Sequence, residues 1–154
     1  MSADHSAVEA HVVERLRAQD QRFTTQRRTL VELLRGAGRP LSMPELLDSN
    51  PALAQSSVYR NLVVLEQAGV VLRVVTGDEF ARYELAEDLT GHHHHHLVCV
   101  SCGFIVDVTV PTDLEERIDA TLGGLAAEHG FSVLDHRLDL LGNCANCREP
   151  QGNG

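Results

Sequence analysis

The 154 residues are enough for one ordinary domain or two small ones, and 43% hydrophobic with 23% charged residues is the balance of a soluble globular protein. No apolar run approaches the roughly 20 residues that span a bilayer, and no signal-type segment opens the chain, so a cytoplasmic protein without a membrane partner is expected. The net charge of −9 lies entirely in residues 84–154, with twelve Asp/Glu against three Arg, while residues 1–83 balance ten against ten and Lys is absent throughout; a nucleic acid would have to be held by the neutral half, on a face that gathers its arginines.

Residues 8–18, VEAHVVERLRA, carry apolar positions at helical spacing. In RFTTQRRTLVELLRGAG, Thr24 or Thr25 is an N-cap, Leu30, Leu33 and Leu34 form an apolar face, and Gly36 is expected to end the helix. In RPLSMPELLDSNP, Ser42 and Glu45 have capping-box spacing, Pro44 suits the first turn, and the helix stops before Pro51. The next helix is expected at 56–68, capped by Ser56 or Ser57 and closed by Gly69, with Leu62, Leu65 and Val58 inward. VVLRVVT and FARYELA are β-rich runs joined by Gly77-Asp78, a hairpin signal. Three helices followed by a two-stranded hairpin is the order of a winged helix, with residues 43–48 and 56–68 as its helix-turn-helix.

A polar link, AEDLTG, leads into the second half. There HHLVCVS and FIVDVTV flank the Cys102-Gly103 turn, a helix is expected over 111–130, and FSVLDHRLDLLGNC alternates as a half-buried strand would. The fold class is therefore α+β: a winged-helix domain at 1–85, a hinge at 86–90, an α/β domain at 91–149 and a disordered tail at 150–154.

All four cysteines occur as C-x-x-C pairs, Cys99/Cys102 and Cys144/Cys147, separated by 41 residues. In a reducing compartment two such knuckles read as four thiolates on one tetrahedral ion, a closed structural zinc site. That ion would staple the last strand to the other end of the sheet. A redox pair would need one knuckle, not two.

The run GHHHHHLVCVSCG enters a predicted strand. Alternation then sends His94 and His96 to one face and His93 and His95 to the other. Glu84, Asp107, Glu115, Glu116 and His136 are candidate companions, all hard or borderline ligands suited to iron(II), manganese, zinc or nickel.

RFTTQRR, SSVYRNLVVLEQAGVV, RYEL, HHHHLVCVSCG, HGF and CANC together resemble the ferric uptake regulator family of bacterial metal-dependent repressors, over roughly residues 10–149. The resemblance implies a homodimer whose C-terminal domain dimerises, and a regulatory metal at the hinge that closes the dimer onto an A·T-rich palindrome in double-stranded DNA. It implies structural zinc on the four cysteines, a regulatory site of Glu84, His94, His96 and Asp107, and a further site of His93, His95, Glu115 and His136. Arg22, Arg27, Ser57, Tyr59 and Arg60 match residues near DNA in similar proteins. Iron(II) is the expected regulatory metal, with zinc(II) or manganese(II) as alternatives.

Two departures stand out. Where many relatives place a histidine ligand ahead of the helix-turn-helix, this chain has Arg39-Pro40, and its hinge has no cysteine of the kind zinc sensors use. Asp107 stands where the peroxide-sensing branch favours Asp, and the length of the helix leaves Glu115 and Glu116 both open as ligands. The rival readings are a peroxide- or zinc-sensing relative, a metal-buffering protein, and a zinc enzyme. The last lacks H-E-x-x-H, an H-x-E with a matching P-C-x-x-C, and a nucleophile elbow, so no enzymatic activity is expected.

Overall fold

The computed structural model describes residues 5–75, 80–91 and 93–148. The expected Gly77-Asp78 turn and the 150–154 tail lie outside the described residues.

Helix α1 (His5–Arg17) buries Val8, Val12 and Leu16, one stripe at four-residue spacing. Helix α2 (Thr25–Ala37) is capped by Thr24, whose hydroxyl accepts the Arg27 amide, and buries Leu30, Val31 and Leu34. It ends two residues later than expected. Gly38, not Gly36, takes the left-handed conformation (φ 65°) that terminates a helix.

Strand β1 (Leu41–Ser42) leads into α3 (Met43–Ser49), which has the full capping box of Ser42 and Glu45. Helix α4 (Gln55–Gln67) buries Val58, Leu62 and Leu65. Its N-cap is Ala54, without a side-chain cap, so Ser56 and Ser57 sit in the first turn instead of capping it. Gly69 (φ 75°) then turns the chain into β2 (Val71–Val75), followed by β3 (Ala81–Leu85). The sheet has three strands, not two, in the antiparallel order β1-β3-β2. A two-residue strand is too short to leave a periodic signal, which is why β1 is invisible in the sequence. One apolar cluster from Val8 to Leu89 unites these helices with the sheet.

The polar link is a helix. In α5 (Glu87–Thr90) Leu89 is buried, and with Ala86 it joins the N-terminal core. Asp88 pairs with Arg15 of α1, so this segment is docked on the winged-helix body.

The second half contains β4 (His95–Cys99), β5 (Ile105–Val108), α6 (Thr112–Glu128) and β6 (Asp139–Gly142). The sheet order is β5-β4-β6. β5 is antiparallel to β4, and β6 is parallel to it with His96 opposite Asp139. Of the long strand expected over 131–144, only 139–142 pairs, and His136 lies ahead of it in a segment without secondary structure. The strand is not half-buried either: all four of its residues are exposed. Helix α6 likewise buries no residue within one copy. Leu122, Leu125, Phe131, Leu134, Leu140 and Leu141 all remain exposed. The halves meet in a small apolar contact of Val74 on β2 with Val98 and Ile105.

Candidate metal centres

Cys99 closes β4, Cys102 lies in the following turn, and Cys144 and Cys147 lie in the turn after β6. Because β4 and β6 are parallel neighbours, with Cys99 opposite Gly142, both knuckles arrive at the same end of the sheet. The ion would therefore staple two adjacent strand ends, not opposite ends. All four cysteines are free thiols, and their sulfurs lie within 4.8 Å of one another. The Cys102 and Cys144 sulfurs are 3.7 Å apart, close to the roughly 3.8 Å between two sulfurs that share a tetrahedral zinc. The amides of Cys144 and Cys102 donate to the Cys99 sulfur at 3.3 and 3.5 Å and hold its thiol down to about 6. The neighbouring Cys144 and Cys102 sulfurs push Cys147 up to about 12. Four thiols packed this closely cannot all ionise without a cation among them, so the donor set fits a structural zinc.

The second centre bridges the halves. Strand alternation puts Tyr83 and Leu85 into the N-terminal core and leaves Glu84 on the opposite side, facing the histidine run. Its carboxylate oxygens lie 3.0 Å from His94 Nε2 and 2.9 Å from His96 Nε2. Asp107, opposite His96 on β5, adds oxygens 3.4 Å from His94 Nε2 and 3.3 Å from His96 Nε2. Glu84 and His96 are both buried. Burial alone would raise the Glu84 carboxyl, but His94 and His96 outweigh it and hold it at about 2. Burial likewise opposes the His96 imidazolium, and the carboxylates of Asp107, Glu84 and Asp139 overcome it, raising it to about 10. Glu84 also holds His94 above its ordinary value, against burial. Among the described residues the buried Asp107 Oδ1 has no well-formed hydrogen bond, although it lies 3.3 Å from His96 Nε2. Two imidazoles and two carboxylates converging at these distances form a donor set that fits a divalent cation.

His93, His95, Glu115 and His136 form the third centre, all within the C-terminal half, with ligand atoms within 4.8 Å. His93 Nε2 lies 3.2 Å from His136 Nε2, and Glu115 reaches His136 at 3.1 Å and pairs with His95. The buried His95 Nδ1 has no hydrogen-bond partner among the described residues. Burial would raise the Glu115 carboxyl, but His95, His93 and His136 lower it. Between the two acids left open by the sequence, Glu115 meets the histidines, while Glu116 is exposed and in no ligand group among the described residues. The structure thus divides the histidines into the pairs that alternation predicts.

Two contacting acids escape the sequence reading. Asp139 lies 3.1 Å from His96 Nδ1, and Glu87 lies 2.8 Å from His93 Nδ1. The parallel β4–β6 pairing that aligns Asp139 has no sequence signal. Glu87 was detectable: A-E-D-L-T-G has first-turn acids, one apolar residue and a C-terminal glycine, the marks of a single helical turn.

On the winged helix, Tyr59, Arg60 and Arg22 are exposed and Ser57 is half-buried. Met43, Gln55, Ser56 and Tyr59 line an open notch between the starts of α3 and α4. Arg27 is engaged internally: its Nε donates to Asn61 on α4 (3.0 Å) and its guanidinium to the Arg22 carbonyl (2.6 Å). It braces α4 against α2. Arg39, in the place of the relatives' histidine, pairs with Glu45 and takes no part in the hinge cluster. Among the described residues no helix is long and apolar enough to cross a membrane.

A winged helix joined to a second domain, with clusters of candidate metal ligands in and between them, is the arrangement of a DNA-binding regulator that responds to metal. The sequence pattern of the Ferric uptake regulator family matches residues 18–141. A ferric uptake regulation protein of Bacillus subtilis is 30% identical over 143 residues, covering 88% of this chain and 91% of its own. The peroxide-responsive repressor PerR of Staphylococcus epidermidis is also 30% identical, covering 99% of this chain and 96% of that one. The ferric uptake regulator of Helicobacter pylori, described as having three functional metal binding sites, superposes with a TM-score of 0.71 at 27% identity, over 94% of this chain and 96% of its own. The chain belongs to the ferric uptake regulator family, whose members are dimeric DNA-binding transcription regulators.

Proposed function

We propose that this regulator is an iron(II)-responsive repressor whose hinge centre, Glu84 with His94, His96 and Asp107, sets the angle between the winged helix (residues 1–85) and the dimerisation domain (91–149). One observation carries the reading: a single buried carboxylate on the winged-helix sheet meets two imidazoles of the other half at about hydrogen-bond distance. Glu84 belongs to the DNA-binding body, and its three companions belong to the dimerisation domain. Their distances from one another therefore depend on how closed the halves are. A divalent cation bound by these four groups favours the closed arrangement by its differential affinity. Shifting the ratio of states from 1:99 to 99:1 takes about 5.5 kcal/mol. The donor set of imidazole nitrogens and carboxylate oxygens, without a thiolate, suits iron(II) or manganese(II). The cysteine centre would hold zinc for structure.

The exposed leucines of α6 and β6 and their neighbour Phe131 form the face that a second copy covers, which places two winged helices on one side of a duplex. Tyr59 and Arg60 on α4 would enter the major groove, with Tyr59 against thymine methyls and Arg60 and Arg22 on phosphates. The operator would be an A·T-rich palindrome, matching the twofold dimer.

The test is to load only the cysteine centre with zinc, add iron(II), manganese(II), zinc(II) or nickel(II) without oxygen, and measure retention of duplexes selected from a randomised pool. Tight retention with iron(II) at the lowest concentration is expected, and equal retention with and without every metal defeats the reading. Adding peroxide to the iron form distinguishes a peroxide sensor, in which mass spectrometry would find an oxidised hinge histidine.

A further inference from the structure

We propose that Glu87, in the one-turn helix α5, ties the third centre to the winged-helix body and so couples it to the hinge centre. This rests on reading His93, His95, Glu115 and His136 as a metal site.

All four of those ligands lie in the C-terminal half, so by themselves they carry no information about the DNA-binding domain. Glu87 supplies the missing connection. One of its oxygens accepts from His93 Nδ1 at 2.8 Å, on the side of the ring opposite Nε2, which faces His136 and Glu115. The other accepts the backbone amide of His94 at 3.3 Å. His93 belongs to the third centre and His94 to the hinge centre, so one carboxylate grips the peptide junction between the two sites.

Glu87 is itself fixed to the N-terminal body. Ala86 and Leu89 on either side of it are in that body's core, and Asp88 pairs with Arg15 of α1. A carboxylate behind a ligand imidazole fixes its tautomer and ring orientation and raises its basicity. Here that carboxylate comes from the other half of the molecule. Ordering His93 at the third centre therefore also orders α5, and with it the approach of His94 to Glu84.

The experiment uses full-length, zinc-loaded protein in a Glu84→Ala/His96→Ala background, so that cobalt(II) titration reads the third centre. Glu87→Ala should weaken that cobalt site by about 10- to 100-fold. Glu87→Gln, which keeps an acceptor oxygen, should recover part of the loss and guards against misfolding of the alanine variant. Hydrogen exchange adds a readout that packing alone would not move. With Glu87 present, cobalt should slow exchange of the amides of Leu89–Gly91; in Glu87→Gln that protection should shrink, and in Glu87→Ala it should vanish. Unchanged cobalt affinity in both variants, or unchanged protection of α5, overturns the proposal. If adding His136→Ala to the background leaves cobalt binding intact, the third-centre reading itself is wrong and the coupling falls with it.

Discussion

His96 and Asp139 face each other across the parallel β4–β6 pair, the imidazole Nδ1 lying 3.1 Å from a carboxylate oxygen while Nε2 points at Glu84 and Asp107. With a metal on Nε2, the acid would hold the Nδ1 proton and fix the ring with Nε2 towards the ion. Three residues of strand separate Asp139 from the turn that carries Cys144, so the cysteine knuckle also positions this acid. Asp139→Ala should lower hinge-metal affinity by about 10- to 100-fold, measured by chelator competition in a His136→Ala background that removes the third centre. Wild-type affinity in that variant would mean the contact orients nothing.

Among the described residues, Glu84 is the one candidate hinge ligand that the winged helix contributes. Glu84→Ala should therefore cut the gain in DNA affinity on metal addition by at least tenfold while the four cysteines keep their zinc. Native mass spectrometry reads the zinc, and fluorescence anisotropy of a selected duplex reads the DNA. Equal operator affinity for wild type and variant across metal concentrations would defeat the switch.

Zinc on the cysteines should matter far more to folding than to switching. The C-terminal half buries little within one copy, with Val98, Cys99 and Ile105 its main apolar contribution. A structural zinc can contribute on the order of 10 kcal/mol to a site of this type. Cys144→Ser should abolish zinc binding and melt β4–β6 and α6, while the separate N-terminal cluster keeps its helices. Circular dichroism should show a partial loss of helix with a surviving cooperative transition; a single unchanged transition would count against the staple.

The sequence carried the parts of this molecule that depend on local chemistry. The Ser42–Glu45 box, a threonine cap at 24 or 25, the knuckles and the alternation of His93 to His96 need only spacing to be read. The parts it concealed depend on distant pairing or on a partner. The parallel alignment of β6 with β4 decides at which end of the sheet the two cysteine knuckles meet and which acid faces His96, and parallel register leaves no mark in a sequence. Alternation over 131–144 predicts a half-buried strand, yet within one copy β6 is wholly exposed, because the pattern anticipates burial that a second copy would supply. Gly36 misleads as a helix stop because only the backbone, at Gly38, shows which glycine adopts positive φ.

The hinge centre also predicts how pH acts on the metal-free protein. His96 is raised to about 10 from an ordinary value near 6.5, and Glu84 is lowered to about 2. A histidine raised on folding contributes stability that is complete below about 6.5 and is lost as pH climbs towards 10; a depressed glutamate contributes above its ordinary range and loses that only as pH falls towards 2. Between pH 7 and 10 the zinc-loaded protein with no hinge metal should therefore lose thermal stability. A metal ligand must give up its proton, so hinge metal should bind with proton release and with an apparent affinity that rises across the same window. With the hinge saturated, His96 no longer carries the proton and the alkaline loss of stability should largely disappear. Calorimetry in buffers of different ionisation enthalpy measures the release directly. No proton released at pH 7, together with an affinity flat from pH 6 to 8, would show that the imidazoles are already neutral and that Glu84 does not hold them charged.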